Sequence, residues 1–245
     1  MEQLREWQVD ISAGEINHLL SAGKDDFHRE KDEVLQVGLT VSDYVTVDDS
    51  GARHQGKNVY VTHIGNDGFS WFGSTRSKSR INFLELLYAG DKGYRINEET
   101  LSYWRQQKLP QTPLSLLTHH PARYVADATK WEAHLDELGI TKARHRRIAT
   151  EGALLGNVMH QGKCRNLVIV SDDAGQFNIL LHALCWVHSE RLVHTLIPLK
   201  NGHREDIAKV RGDIWDFYAD LKCYKNQPAA AQKTTLQDRF DEIFQ

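Results

Sequence analysis

Two short acidic motifs stand out as able to do chemistry. Val47-Asp48-Asp49-Ser50-Gly51 and Val170-Ser171-Asp172-Asp173 each put carboxylates at the end of a run of strand-forming residues. Acids at the carboxyl ends of buried strands lie where α/β proteins usually place their chemistry. Two carboxylates brought together there can hold a pair of divalent ions about 4 Å apart, one for the attacking and one for the leaving oxygen of a phosphodiester. Mg²⁺, or Mn²⁺ in its place, suits such oxygen ligands because it keeps waters and also binds phosphate. Asp48 and Asp172 are the candidate catalytic and metal-binding pair. Asp49 and Asp173 sit one residue further into the expected turns, where Asp49-Ser50-Gly51 is good turn chemistry and Asp173 a good helix cap. Cys185 and His188 form a lone Cys-x-x-His, half of a zinc site, for which a buried thiol and a hydrogen-bonded core imidazole are the ordinary alternative.

These residues need a sheet to position them. Residues 43–48, 57–64 and 69–73 read as three successive antiparallel strands, with turns at 49–51 and at Asn66-Asp67-Gly68. A helix follows over 79–88, with Ile81, Leu84, Leu87 and Tyr88 as its apolar stripe. Leu167-Val168-Ile169-Val170 is an unbroken apolar run, as a strand covered on both faces requires, and 179–184 is the next candidate strand. An amphipathic helix is expected from near Ser189, with Leu192, Val193, Leu196 and Ile197 at helical spacing. Three antiparallel strands, a helix and then later buried strands suit a ribonuclease-H-like mixed α/β sheet with helical insertions. They argue against a dinucleotide-binding start, which needs a glycine-rich turn after its first strand.

The rest of the chain divides around that core. Residues 1–40 read as a helical lead-in, with Ser12 and Glu15 as a capping box. Residues 41–199 hold the core, interrupted by a mostly helical insertion over 91–160, and 200–245 read as further helix. No internal repeat is evident. The hydrophobic fraction of 40% and charged fraction of 26% are those of an ordinary globular protein, and no apolar run reaches the roughly 20 residues of a membrane span. Three cysteines without disulfide-type spacing fit a reducing cytoplasm. The net charge of −3 neither requires nor excludes a nucleic-acid partner, because local clusters suffice. Two such clusters exist: Arg76, Lys78 and Arg80, and the run Lys142, Arg144, Arg146 and Arg147. Each is a candidate phosphate-contacting surface or simply a solvated helix start.

Val47-Asp48-Asp49-Ser50-Gly51, Val170-Ser171-Asp172 and Cys185-Trp186-Val187-His188 with Arg191, in that order, resemble the central region of DDE transposases of the insertion-sequence-sixty-six family. The lead-in Asp10–Ile16 is similar as well. The resemblance implies a ribonuclease-H-like fold and metal-dependent cleavage and transfer of DNA strands at transposon ends. It makes Asp48 and Asp172 the first and second catalytic carboxylates and Cys185 and His188 a family motif. The family's third acid, a Glu in a Pro-Leu-His-x-Asn-like segment, has no counterpart here. Glu190, Glu205, Asp213 and Asp216 are acids in the right half of the chain without those surroundings. The expectation is therefore a truncated core, with DNA as partner, possible association with itself or with an intact transposase, and a second reading as a non-catalytic DNA- or transposase-binding remnant. A small-molecule α/β enzyme is the outside alternative.

Overall fold

A computed structural model of the chain describes residues 6–88, 93–162, 164 and 166–244. A five-stranded mixed sheet is built from β1 (Tyr44–His54), β2 (Lys57–Gly65), β3 (Ser70–Thr75), β6 (Val168–Ser171) and β7 (Leu181–Leu184), in the order β3-β2-β1-β6-β7. β1 and β2, and β2 and β3, pair antiparallel. The α/β class is as the sequence implies. The described chain divides into two compact units. The first runs to Ile169 and includes Gly175–Leu181; the second is Val170–Ala174 with the chain from His182 onward.

In the first unit, β1 is longer than expected. The ladder runs unbroken from Thr46↔Gly65 to His54↔Lys57, so Asp49, Ser50 and Gly51 are strand, not turn. The reversal falls instead at Gln55 and Gly56, both at positive φ (49° and 74°). Two such residues make the hairpin turn whose twist matches that of its strands. Val45 and Val47 on β1, Ile64 on β2 and Trp71 on β3 form the buried face. Helix α1 (Ala13–Ser21) starts at Ser12, whose hydroxyl accepts the Glu15 N–H at 3.0 Å, and it buries no residue. Helix α2 (Asp25–Val41) buries Leu35, Gly38 and Leu39. Helix α3 (Arg80–Leu87) starts from an N-cap at Ser79 and buries Phe83, Leu84 and Leu87.

The insertion contains a repeat that the amino-acid sequence conceals. Strand β4 (Tyr94–Arg95), helix α4 (Glu98–Gln106) and helix α5 (Gln111–His119) form one copy. Strand β5 (Tyr124–Val125), helix α6 (Ala128–Glu137) and helix α7 (Ala143–His160) form the second, and β4 pairs antiparallel with β5. Asn97 caps α4 by accepting from Thr100 N–H, and Asp127 caps α6 by accepting from Lys130 N–H. Each first helix ends in one left-handed residue, Lys108 (φ 55°) or Gly139 (φ 68°). In each, the next N–H returns to the helix: Leu109 to Trp104 O and Ile140 to Leu135 O, both at 2.9 Å. Little beyond Tyr-x-x-Asn against Tyr-x-x-Asp survives as common sequence. The Pro110–Pro113 stretch opens α5, because proline is tolerated in a first turn whose N–H groups have no helical partner.

α7 is the spine of this unit. It buries Ile148, Ala149, Thr150, Glu151, Gly152, Ala153, Leu154, Gly156, Asn157 and Val158. Gly152 meets Trp104, and Gly156 meets Thr100, Asn97 and the Arg95 carbonyl, so closely that neither position has room for a Cβ.

In the second unit, helix α8 (Trp186–His194) starts three residues earlier than expected. It also stops sooner, leaving Leu196 and Ile197 beyond it, 58% and 83% exposed. Helix α9 (Asn201–Asn226) and helix α10 (Ala230–Phe244) fill the stretch 200–245 that reads as helix. Trp186, Phe217, Phe240 and Phe244 form the aromatic cluster of this unit. Among the described residues no helix is long and apolar enough to cross a membrane.

Candidate functional site

Alternation along β1 separates its two acids. Val45, Val47 and Asp49 share one face, and Thr46 and Asp48 the other. Asp48 is exposed, directly across from His63, and its Oδ1 accepts the Asp49 N–H at 2.8 Å. Asp49 is half-buried. Its Oδ1 accepts the Thr62 hydroxyl at 2.5 Å and its Oδ2 accepts Gln176 Nε2 at 3.0 Å. The acid expected to be idle in a turn is thus the more firmly held of the two.

The loop carrying Gln176 is also tied by Arg80, whose Nη2 donates to the Gly175 carbonyl. Arg80 Nη1 donates to Tyr103 Oη at 2.8 Å, and Tyr103 donates to Glu151 Oε2 at 2.6 Å. Glu151 is 3% exposed and lies 3.8 Å from Arg80 Nη1. Burial, then the hydrogen bond to Glu151, holds the Tyr103 phenol well above the ordinary tyrosine range. Sequence reasoning missed Glu151. Its signal was an acid in the apolar stripe Ile148–Glu151–Leu154–Val158, at helical spacing. Nothing comparable marked Gln176 or Thr62.

This network divides the basic clusters. Arg80 is consumed by it. Lys78 donates to the Asp49 carbonyl at 3.3 Å and covers the Tyr60 ring, while Arg76 is exposed. In the second cluster Arg146 is clamped by Glu132 and Asp136 of α6, which hold its pKa above the usual value. Lys142 and Arg144 are exposed and make no ion pair among the described residues, and Arg147 is 4.0 Å from Glu151 with its side chain 61% exposed.

In the second unit Asp172 follows β6, and its Oδ1 accepts the Ala174 N–H at 3.1 Å. The preceding residue, Ser171, is buried; its hydroxyl donates to the Asp172 carbonyl at 2.7 Å and meets His182 Nε2 at 2.8 Å. With that hydroxyl proton committed, His182 is the donor in the second bond. Cys185 is the N-cap residue of α8, and its N–H reaches the Ser171 carbonyl at 2.8 Å. His188 lies one turn on, with Nδ1 buried and without a hydrogen-bond partner among the described residues. Glu190 is buried against Arg211, so this acid is spoken for. Glu205 and Asp216 are exposed on α9, and Asp213 is half-buried there.

Asp48 Oδ1 and Asp172 Oδ1 each accept one backbone N–H. These hard oxygen donors fit Mg²⁺ or Mn²⁺ better than zinc. Among the described residues no three His, Cys, Asp or Glu side chains gather as a metal cage.

No family model matches the chain, and no solved structure matches it. The chain is 35% identical over 213 residues to the uncharacterized protein y4jO of Sinorhizobium fredii (strain NBRC 101917 / NGR234), a similarity that covers 86% of this chain and 66%, just under two thirds, of that relative.

Proposed function

We propose that the chain is the central region of a DDE-type transposase, with a ribonuclease-H-like sheet that acts on DNA phosphodiesters. The five-stranded sheet in the order β3-β2-β1-β6-β7 supports this reading, with Asp48 on β1 and Asp172 directly after β6. Three antiparallel strands and a helix precede the later strands, as such a sheet requires. Asp48 and Asp172 would hold Mg²⁺ or Mn²⁺, which supplies Lewis-acid stabilisation of charge on the phosphodiester oxygens. The chain's own part is to present the two carboxylates: Ser171 and His182 order the backbone at Asp172, and the ladder between β1 and β2 fixes Asp48 across from His63. Arg76 and the exposed cations of α7 offer phosphate contacts.

A second reading is a remnant that binds DNA or an intact transposase without cutting; in its favour, Glu190, a buried acid of the second unit, is already paired with Arg211. Under either reading the chain binds one Mn²⁺ weakly. Mn²⁺ titration by electron paramagnetic resonance, on the unmodified chain and on Asp48→Asn and Asp172→Asn, is the test. Each substitution should weaken binding by at least about tenfold, since each removes a charged ligand. Binding untouched by both ends the metal assignment. A nicking assay with Mn²⁺ then separates the two readings. Cutting by the unmodified chain, abolished by both substitutions, means that a resident acid completes the site.

A further inference from the structure

We infer that α6, the Gly139 corner and the start of α7 form a helix-turn-helix whose exposed cations, Lys142, Arg144 and Arg147, dock on duplex DNA. This goes beyond the metal site in assigning the partner a separate surface, although it rests on the reading of DNA as substrate. The corner turns the chain sharply. Gly139 takes the left-handed conformation that lets α6 end sharply, and Leu135, Ile140 and Ile148 are buried beneath it. Arg146 bridges to Glu132 and Asp136 and to the Ile140 carbonyl, which fixes α7 in rotation against α6. The rest of α7, from Ile148 to Val158, is buried, so only its first turn and a half protrudes. Docking helices of this kind present their N-terminal residues to the major groove in the same way.

The charge is not a requirement of the fold. The twin corner, Lys108-Leu109-Pro110 leading into α5, makes the same backbone bonds, yet α5 opens Gln111-Thr112-Pro113 with no cation. α7 instead crowds basic residues onto a helix start with no side-chain cap and no acid in its first turn. The helix dipole opposes cations there, and an approaching phosphate relieves both their repulsion and the unfilled N–H groups. Glu132 and Asp136 are taken up by Arg146, and Lys142 and Arg144 make no ion pair among the described residues, which leaves their charge facing solvent.

The test is fluorescence anisotropy with the full chain and a labelled 25-base-pair duplex across a salt series. EDTA is present throughout, so that failure of the metal site cannot affect the outcome. The unmodified chain should bind. Arg144→Gln with Arg147→Gln should weaken binding at least about tenfold and lower the log–log salt slope by about 2, one unit per lost phosphate contact. Arg105→Gln with Lys108→Gln, at the twin corner, should change neither. Circular dichroism and thermal melting confirm that the variants fold; if the double variant melts early, Arg144→Lys with Arg147→Lys serves in its place and should keep the salt slope. Affinity unmoved by the α7 substitutions, equal loss at the twin corner, or a matched RNA duplex bound as tightly as DNA each overturns the assignment.

Discussion

Glu151 shows how much one buried side chain can organise. Its carboxylate receives Tyr103 and faces Arg80, which in turn holds the Gly175 carbonyl. Removing one partner strands the other charge away from water, so Glu151→Ala or Arg80→Ala should each cost about 3–5 kcal/mol in chemical denaturation. Glu151→Met with Arg80→Met should cost less than the sum of the two single changes. His134 makes a different statement about pH. It is 7% exposed, its ring lies 4.3 Å from that of His120, and burial first, then His120, lowers its pKa from about 6.5. The unfolded chain therefore takes up this proton before the folded one does. The contribution is complete above the unfolded value of about 6.5 and is lost as pH falls through the folded value. Stability followed by urea titration should decline on acidification from pH 7, and His134→Gln should flatten that decline.

At the scale of elements, the twin corners differ in one testable respect. Gly139 suits its left-handed φ, whereas Lys108 adopts a similar φ with a side chain attached. Lys108→Gly should therefore raise stability by up to about 1 kcal/mol and Gly139→Ala lower it by about the same, read from shifts in melting temperature. Gly156→Ala is a packing test: an added methyl meets Thr100, Asn97 and the Arg95 carbonyl, and should cost at least about 1–3 kcal/mol. Such features also mark what the sequence made legible. Strands with β-branched alternation, such as 43–48 and 57–64, and capped helices, such as that after Ser79, could be read directly. The turn at Asp49-Ser50-Gly51 was misplaced because composition favoured it, while long-range pairing with β2 carried the strand on to His54. The repeat escaped notice because it is kept in backbone conformation and caps, not in side-chain identity. At the candidate site, Asp48 and Asp172 were visible as motifs, but the partners of Asp49 and Asp172 lie 13, 127 and 2 positions away along the chain. Spacing alone cannot show such contacts.

Across the whole molecule, burial is uneven. α1 buries no residue, while α7 is buried along most of its length. Local opening should follow that gradient. Hydrogen exchange should find α1 amides exchanging within seconds at neutral pH and those from Ile148 to Val158 among the last to exchange; equal protection of both would contradict it. The two units share one further property, that the chain passes from the first to the second after Ile169, returns at Gly175 and leaves again after Leu181. Neither unit is a contiguous length of gene. During synthesis the first cannot be completed until residue 181 has left the ribosome, by which time the opening piece of the second has already been made. A recombination breakpoint anywhere between codons 170 and 181 would deliver part of each unit and the whole of neither.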